Sequence, residues 1–360
     1  MTDAQGLAGW LHLTLTPGLG NAAIRSLLGH FGLPENVLAA SGQELERLAG
    51  AAARQLRAEK PSSDIERALR WASAPGNAIV TLADAEYPRL LLEIPDPPVL
   101  LYATGRLELL SRPALAIVGS RNATAQGERN AEQFARAFSA AGLTIVSGLA
   151  VGIDAAAHRG ALEAAGSTIA VLGTGVDVVY PRQNAQLAAQ IAESGLLLSE
   201  FTLGAAGAAH HFPRRNRLIS GLAHGCLVVE AALASGSLIT ARAAAEQGRD
   251  VFAVPGSIHS PLSKGCHALL KQGAKLVESA EDVLVELTGF RRTGFASTRA
   301  PEQPQADDPL LDHMGFDPVD VDSLCSRSGL PAERVCADLL RLELDGRVAA
   351  LPGGTYQRLR

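Results

Sequence analysis

Between Asn77 and Leu287 short apolar runs alternate with stretches of helical periodicity, and this alternation constrains the fold more than any other feature of the chain. The runs are Ala114 to Val118, Leu143 to Ser147, Thr168 to Leu172, Leu196 to Ser199, Cys226 to Glu230 and Val251 to Val254. Runs of this length read as strands buried on both faces, and the intervening stretches, such as Glu128 to Ala140 and Asp154 to Ala165, read as the helices that cover them. The predicted fold class is α/β, with an extended Rossmann-like, doubly wound sheet. The upstream piece from Asn77 to Arg112 is expected to add edge strands, where its prolines remove no interior ladder bond.

A chain of 360 residues exceeds a single ordinary core, and its flanks differ from its middle. Residues 1–75 carry apolar positions at helical spacing broken by Pro and Gly, and predict a small helical domain of helix-hairpin-helix or SAM-like type. Its segment Pro17-Gly-Leu-Gly-Asn-Ala-Ala-Ile24 suits either a phosphate-binding hairpin or a plain packing corner, and the scarcity of nearby basic residues favours the corner. Residues 76–288 form the predicted Rossmann-like domain, and residues 289–308 are too polar and Pro-rich to bury a core and predict a linker. Residues 309–360 give two short helices and a hairpin in the order of a winged helix. The acids Glu333, Asp338, Glu343 and Asp345 make a protein-contact or structural role at least as suitable for it as DNA reading.

A formal charge of −5 means that any nucleic-acid site is a focused patch rather than a basic coat. Cys226, Cys266, Cys325 and Cys336 include no C-x-x-C pair, so neither a zinc cage nor a redox pair is expected, and no metal or cofactor is assigned. The chain shows no signal peptide or apolar run of membrane-spanning length, and a cytoplasmic location is expected.

The chemistry sits at the predicted strand ends. Gly119-Ser-Arg-Asn-Ala-Thr124 follows the first of these strands, where the glycine permits close approach, the next helix offers its N-terminal amides, and Arg121 adds a cation matched to phosphate. It is not G-x-G-x-x-G, which argues against a nicotinamide or flavin. In Ser147-Gly-Leu-Ala-Val-Gly-Ile-Asp154, Asp154 and His158 share a helix face. They suit an acid-base pair or, preferably, a helix-start dipole partner and a satisfied imidazole; one such pair is too few ligands for a metal. His210-His-Phe-Pro-Arg-Arg-Asn-Arg217 interleaves cations with an aromatic ring: Arg214, Arg215 and Arg217 for phosphates, Phe212 for stacking, Asn216 for a base edge or the turn. Ser235-Gly-Ser237 is expected to make a second amide cup, and Lys264 adds a further cation. All these loops lie at strand C-termini, so Arg121, Arg214, Arg215, Arg217 and Lys264 are expected to converge in one crevice.

The set Val118-Gly-Ser-Arg-Asn-Ala-Thr124, Ser147-Gly-Leu-Ala-Val-Gly-Ile-Asp154 with Ala157-His158, Phe212-Pro-Arg-Arg-Asn-Arg217 with Ile219-Ser-Gly-Leu222, and Val254-Pro-Gly256 resembles the DprA/Smf family. The resemblance implies a non-enzymatic recombination mediator that binds and protects single-stranded DNA, forms a homodimer and loads RecA onto the strand in natural transformation. It implies that Gly119, Ser120 and Arg121 form a phosphate pocket and that Phe212, Arg215, Asn216 and Arg217 hold the strand; Thr124 closes the first motif. The rival reading is a nucleotide sensor or a phosphoribohydrolase-like enzyme. Such an enzyme carries P-G-G-x-G-T-x-x-E, whereas this chain has Glu230-Ala-Ala-Leu-Ala-Ser-Gly-Ser237, leaving Glu230 as the one acid to test.

Overall fold

The computed structural model describes residues 4–57, 62–287 and 308–359. Five helices open the chain: α1 (Ala4–Leu15), α2 (Asn21–Phe31), α3 (Pro34–Ala39), α4 (Gly42–Ala49) and α5 (Ser62–Ala72). The middle then runs β1 (Asn77–Thr81), α6 (Arg89–Leu92), β2 (Leu100–Gly105), β3 (Ala114–Val118), α7 (Ala125–Ala140), β4 (Thr144–Ser147), α8 (Ile153–Leu162) and β5 (Thr168–Val171). It continues through α9 (Ala185–Ser194), β6 (Leu196–Ser199), α10 (His211–Gly221), β7 (Gly225–Val228), α11 (Ser237–Glu246), β8 (Asp250–Ala253), α12 (Lys264–Lys271), β9 (Lys275–Leu276) and α13 (Ala280–Glu286).

The strands form one nine-stranded sheet in the order β1-β2-β6-β5-β4-β3-β7-β8-β9. From β6 to β9 every neighbouring pair is parallel, while β2 joins β6, and β1 joins β2, antiparallel. The upstream segment thus supplies the added strands expected of it, and its Pro95, Pro97 and Pro98 fall in the loop before β2. The short β9 carries no apolar run of its own and was not legible in the sequence.

Strand periodicity assigns each residue to a face. Leu115 and Ile117 of β3 pack with Phe138 and Ala157 from α7 and α8, while Ala114, Ala116 and Val118 pack with Leu218 of α10 and Ala241 of α11. The sheet is therefore covered on both sides, as its near-continuous apolar strands require. The N-terminal helices lie over the other half of the α7 face, where Trp10, Leu13, Ile24 and Leu27 join Tyr102, Leu172 and Leu197 in one core. The helical segment read as residues 1–75 is consequently fused to the sheet by a shared core.

Most of the linker expected over residues 289–308 lies outside the described residues. Beyond it come α14 (Pro309–Met314), β10 (Val319–Asp320), α15 (Val321–Ser328), α16 (Ala332–Leu344), β11 (Val348–Leu351) and β12 (Thr355–Arg358), with a small sheet ordered β10-β12-β11. Leu311, Leu324, Val335, Leu339 and Val348 form its separate core. This is a winged helix with one helix more than the two read from the sequence. Among the described residues no helix is long and apolar enough to cross a membrane.

Candidate nucleic-acid interface

From β3 the chain winds one way through β4, β5 and β6, then crosses back to β7 and winds the other way. The loops leaving the adjacent strands β3 and β7 diverge, and a crevice opens at this switch point. It has a volume of about 670 Å³. Gly119, Ser120 and Arg121 line it from the β3 side, and Ser235, Gly236 and Ser237 from the β7 side. Helix α10 adds Phe212, Arg215 and Asn216, and α8 adds Asp154. A side chain at Gly119 would collide with Ile153, its Cβ lying 2.6 Å from Ile153 Cγ1, so only glycine lets the β3 loop cross the start of α8.

Arg121 is exposed and, among the described residues, has no carboxylate partner. Its guanidinium carbon lies 5.7 Å from the centroid of the Phe212 ring. Tyr180, half exposed, tilts against the same ring with centroids 5.4 Å apart. Arg121 and Phe212 thus line the crevice, and Tyr180 stands beside it against Phe212. Tyr180 was missed by the sequence reading, although it lies in the loop that follows β5, itself a strand C-terminus.

Arg215 takes a different part from the one expected. It is 4% exposed, and its Nη1 donates to Gly148 O at 2.6 Å and to Val171 O. Burial pulls its pKa down to about 10, with the Asp154 charge acting against that fall. Asp154 is buried as well. Its carboxylate accepts from Gly148 N at 3.1 Å and Ala150 N at 3.4 Å, while burial raises its pKa against the opposing pull of Arg215. Without a direct ion pair between them, the two side chains each tie backbone groups beneath the crevice. Asn216 accepts from Arg215 Nε at 3.2 Å and donates to Gly236 O at 3.4 Å, joining α10 to the β7 loop.

Two expectations of open amide cups are corrected. Ser120 N donates to Glu230 O at 2.7 Å, and the Glu230 carboxylate accepts from Thr124 N at 2.9 Å and Thr124 Oγ1 at 2.6 Å. Thr124 Oγ1 in turn accepts from Gly127 N at 2.9 Å. A resident carboxylate therefore occupies the start of α7, and Thr124 is tied to it rather than lining the crevice. At the β7 loop Ser237 N donates to Ser235 Oγ at 3.3 Å and Leu238 N to Ser235 O at 3.1 Å. The turn satisfies these amides within itself and leaves its serine side chains to line the crevice.

The expected convergence of five cations is corrected too. Arg214 and Arg217 turn to the opposite side of α10, where Glu200 Oε2 pairs with both, at 3.2 Å and 2.6 Å. Lys264 is exposed at the start of α12, where its Nζ donates to Ile258 O, and it does not line the crevice. Alternating residues of one helical turn face different sides, which a linear reading of Arg-Arg-Asn-Arg does not resolve.

His158 is fully buried. Its Nε2 accepts from Leu149 N at 3.3 Å and its Nδ1 lies 2.7 Å from Thr168 Oγ1, a hydroxyl that itself donates to Ile145 O. The Nδ1–H tautomer satisfies both contacts, with Nδ1 donating to the threonine. Asn184 Nδ2 donates to Leu149 O at 2.9 Å, and Leu149 holds a φ of +58° between these clamps. Burial, aided by the Arg215 and Arg159 charges, pushes the His158 pKa down to about 3. The unfolded chain then binds one more proton than the folded one from about pH 6.5 down to about 3. Stability is present in full above this window and falls by about 1.4 kcal/mol per pH unit on acidification through it. His158→Gln, which keeps a donor and an acceptor but does not titrate, is expected to remove that slope in urea melts between pH 7 and 5; an unchanged slope would refute the assignment.

A doubly wound sheet with a cation-aromatic crevice at its switch point, fused to N-terminal helices and followed by a winged helix, defines a Rossmann-like class whose crevice lies where such sheets hold ligands. Within that class the chain belongs to the DNA recombination-mediator protein A family, DprA/Smf, whose model matches residues 78–288, and the DprA winged helix domain matches residues 296–354. It is 46% identical to Protein Smf of Escherichia coli, over 83% of this chain and 82% of that protein. It is 52% identical to the DNA processing protein DprA of Streptococcus pneumoniae, over 57% of this chain and 73% of that protein. The crystal structure of DprA from Streptococcus pneumoniae superposes with a TM-score of 0.70 at 41% identity, covering 78% of this chain and 98% of that one. DNA processing protein A of Helicobacter pylori, a structure described for its single-stranded DNA binding mode, superposes with a TM-score of 0.53 at 31% identity, covering 57% and 93%.

Proposed function

We propose that this recombination mediator binds single-stranded DNA in the switch-point crevice, shields it, and as a cytoplasmic homodimer delivers it to a RecA-type recombinase. The observation that carries the binding step is the grouping at the crevice of Arg121, without a carboxylate partner among the described residues, with Phe212, against which Tyr180 tilts. A backbone phosphate meets the guanidinium while a base stacks on the exposed tyrosine, the two components of sequence-tolerant strand binding. The strand-binding mode described for the Helicobacter pylori relative supports the same ligand. Dimer formation and delivery to RecA rest on the family membership.

A catalytic reading is less well supported, because Glu230 already accepts two hydrogen bonds from Thr124 and does not line the crevice. Fluorescence anisotropy with labelled oligo-dT and a matched duplex across a salt series, with AMP as competitor, tests the proposal. Salt-sensitive strand binding with little AMP competition is the expected result, and AMP binding without strand binding would overturn it. Tyr180→Ala is expected to weaken the strand complex by about 1–3 kcal/mol through loss of a stacking face. Phe212→Ala is expected to cost a similar amount, since it removes the support of both Arg121 and Tyr180. Full affinity in both variants would exclude stacking at this site.

A further inference from the structure

We infer that a second nucleotide subsite lies at the seam between the N-terminal helices and the sheet, where the turn from Thr16 to Asn21 faces Glu200, Phe201 and Arg214. It takes the base and phosphate of a nucleotide further along the strand. The inference rests on strand binding in the crevice and extends its path.

The seam encloses a cavity of about 480 Å³. The first turn of α10 divides it from the crevice: Phe212 and Pro213 line the crevice, while His211 and Arg214 line the seam. A chain leaving one cavity over this turn enters the other.

Two orphaned polar atoms of opposite kind belong to residues lining the seam, and a third, Nη1 of Arg217, belongs to the ion pair behind it. The Glu200 side chain is 2% exposed, and among the described residues its Oε1 has no hydrogen-bond partner, because both arginines take Oε2. Asn21 Nδ2 is likewise enclosed, with no acceptor among the described residues. Both residues line the same cavity. Buried polar atoms are rarely left unpaired, so an acceptor and a donor in the lining of one cavity call for a ligand that brings the complement of each. The hydrogen-bonding edge of every nucleobase carries an N–H beside an acceptor, and such unstacked bases are read on that edge. Glu200 Oε1 accepts from the base and Asn21 Nδ2 donates to it, without choosing among bases.

The surroundings fit a nucleotide in two further ways. Phe201 and His211 stack with centroids 4.1 Å apart and an interplanar angle of 24°, giving an aromatic wall. The half-exposed Arg214 guanidinium sits 5.7 Å from the Phe201 centroid, placed for a phosphate. Arg25, Arg214 and Arg217 outnumber their partners Asp96 and Glu200, and Asp64 at the rim is paired with Arg67. The chain of pairs from Arg25 through Asp96, Arg217 and Glu200 to Arg214 also fixes α2 against α10, so the seam is held open before any ligand arrives.

The test uses the full chain with strands of about four and about sixteen nucleotides, spanning the usual site sizes. Arg214→Ala and Asn21→Ala are each expected to weaken binding of the longer strand about five- to tenfold and to leave the shorter one unchanged. Independently of any variant, a photoreactive 4-thiothymine strand of the longer length is expected to cross-link the wild-type chain at the Thr16–Asn21 turn, Phe201 or His211. Unchanged affinity for the longer strand together with cross-links confined to the crevice would overturn the inference. So would dCMP displacing those cross-links at concentrations matching the strand. If only the second subsite is wrong, Arg121→Ala still weakens both lengths; if the crevice is wrong, Arg121→Ala weakens neither.

Discussion

Replacing Arg121 with alanine is expected to lower the affinity for single-stranded DNA by about ten- to a hundredfold at physiological salt. The dependence of log K on log salt should become shallower by about 0.7, the contribution of one phosphate contact to a single strand. Arg121 is singled out by its surroundings. Each of the other four cations assigned to the site has a partner within the fold: Arg214 and Arg217 hold Glu200, Arg215 holds two backbone carbonyls, and Lys264 holds Ile258. Their charge is partly spent, whereas Arg121 offers its whole donor fork to an incoming phosphate over the face of Phe212. Arg121→Lys should keep most of the salt slope while losing part of the affinity, since an ammonium restores the charge but not the bidentate geometry. Strand binding in Arg121→Ala with the parent salt slope would remove the crevice from consideration.

The fold was legible because burial on both faces leaves a mark on composition. Ala114 to Val118 and Leu196 to Ser199 were placed to the residue, and the others within two positions, since each is an apolar run bounded by turn residues. The half-exposed Lys275–Leu276 strand and the short helix at Pro309 lack that contrast.

The candidate site was legible in its loops but not in its directions. Sequence brings the strand-end motifs to one end of the sheet through topology alone. It does not say that Arg215 turns inward while Arg214 turns to the far side of α10, nor that Glu230, distant in sequence, fills the anion position at the start of α7. Those outcomes depend on which polar atoms are left without partners once the sheet is packed. Tyr180 was passed over because a lone tyrosine in a loop carries no periodic signal; only its stacking against Phe212 marks it.

Asp154→Ala carries the largest expected cost in stability, about 3 kcal/mol, because it leaves two buried amides without their acceptor and removes the nearby charge that offsets the burial of Arg215. Arg215 is held in place by burial, at 4% exposed, and by the Gly148 and Val171 carbonyls that its guanidinium binds. Losing Asp154 leaves Gly148 N and Ala150 N without their shared acceptor, so the loop between β4 and α8 loosens under the crevice. Arg215→Met should be costly for the mirror reason, since it removes the charge that offsets the burial of Asp154 and takes one donor from the Gly148 and Val171 carbonyls. The double variant is expected to cost less than the sum of the singles, because removing both charges together spares each the penalty of standing alone. Urea denaturation of the four proteins at pH 7 measures this directly. Additive losses, or an Asp154→Ala cost below about 1 kcal/mol, would mean that the two charges do not sustain one another and that the floor of the crevice is held by its backbone alone.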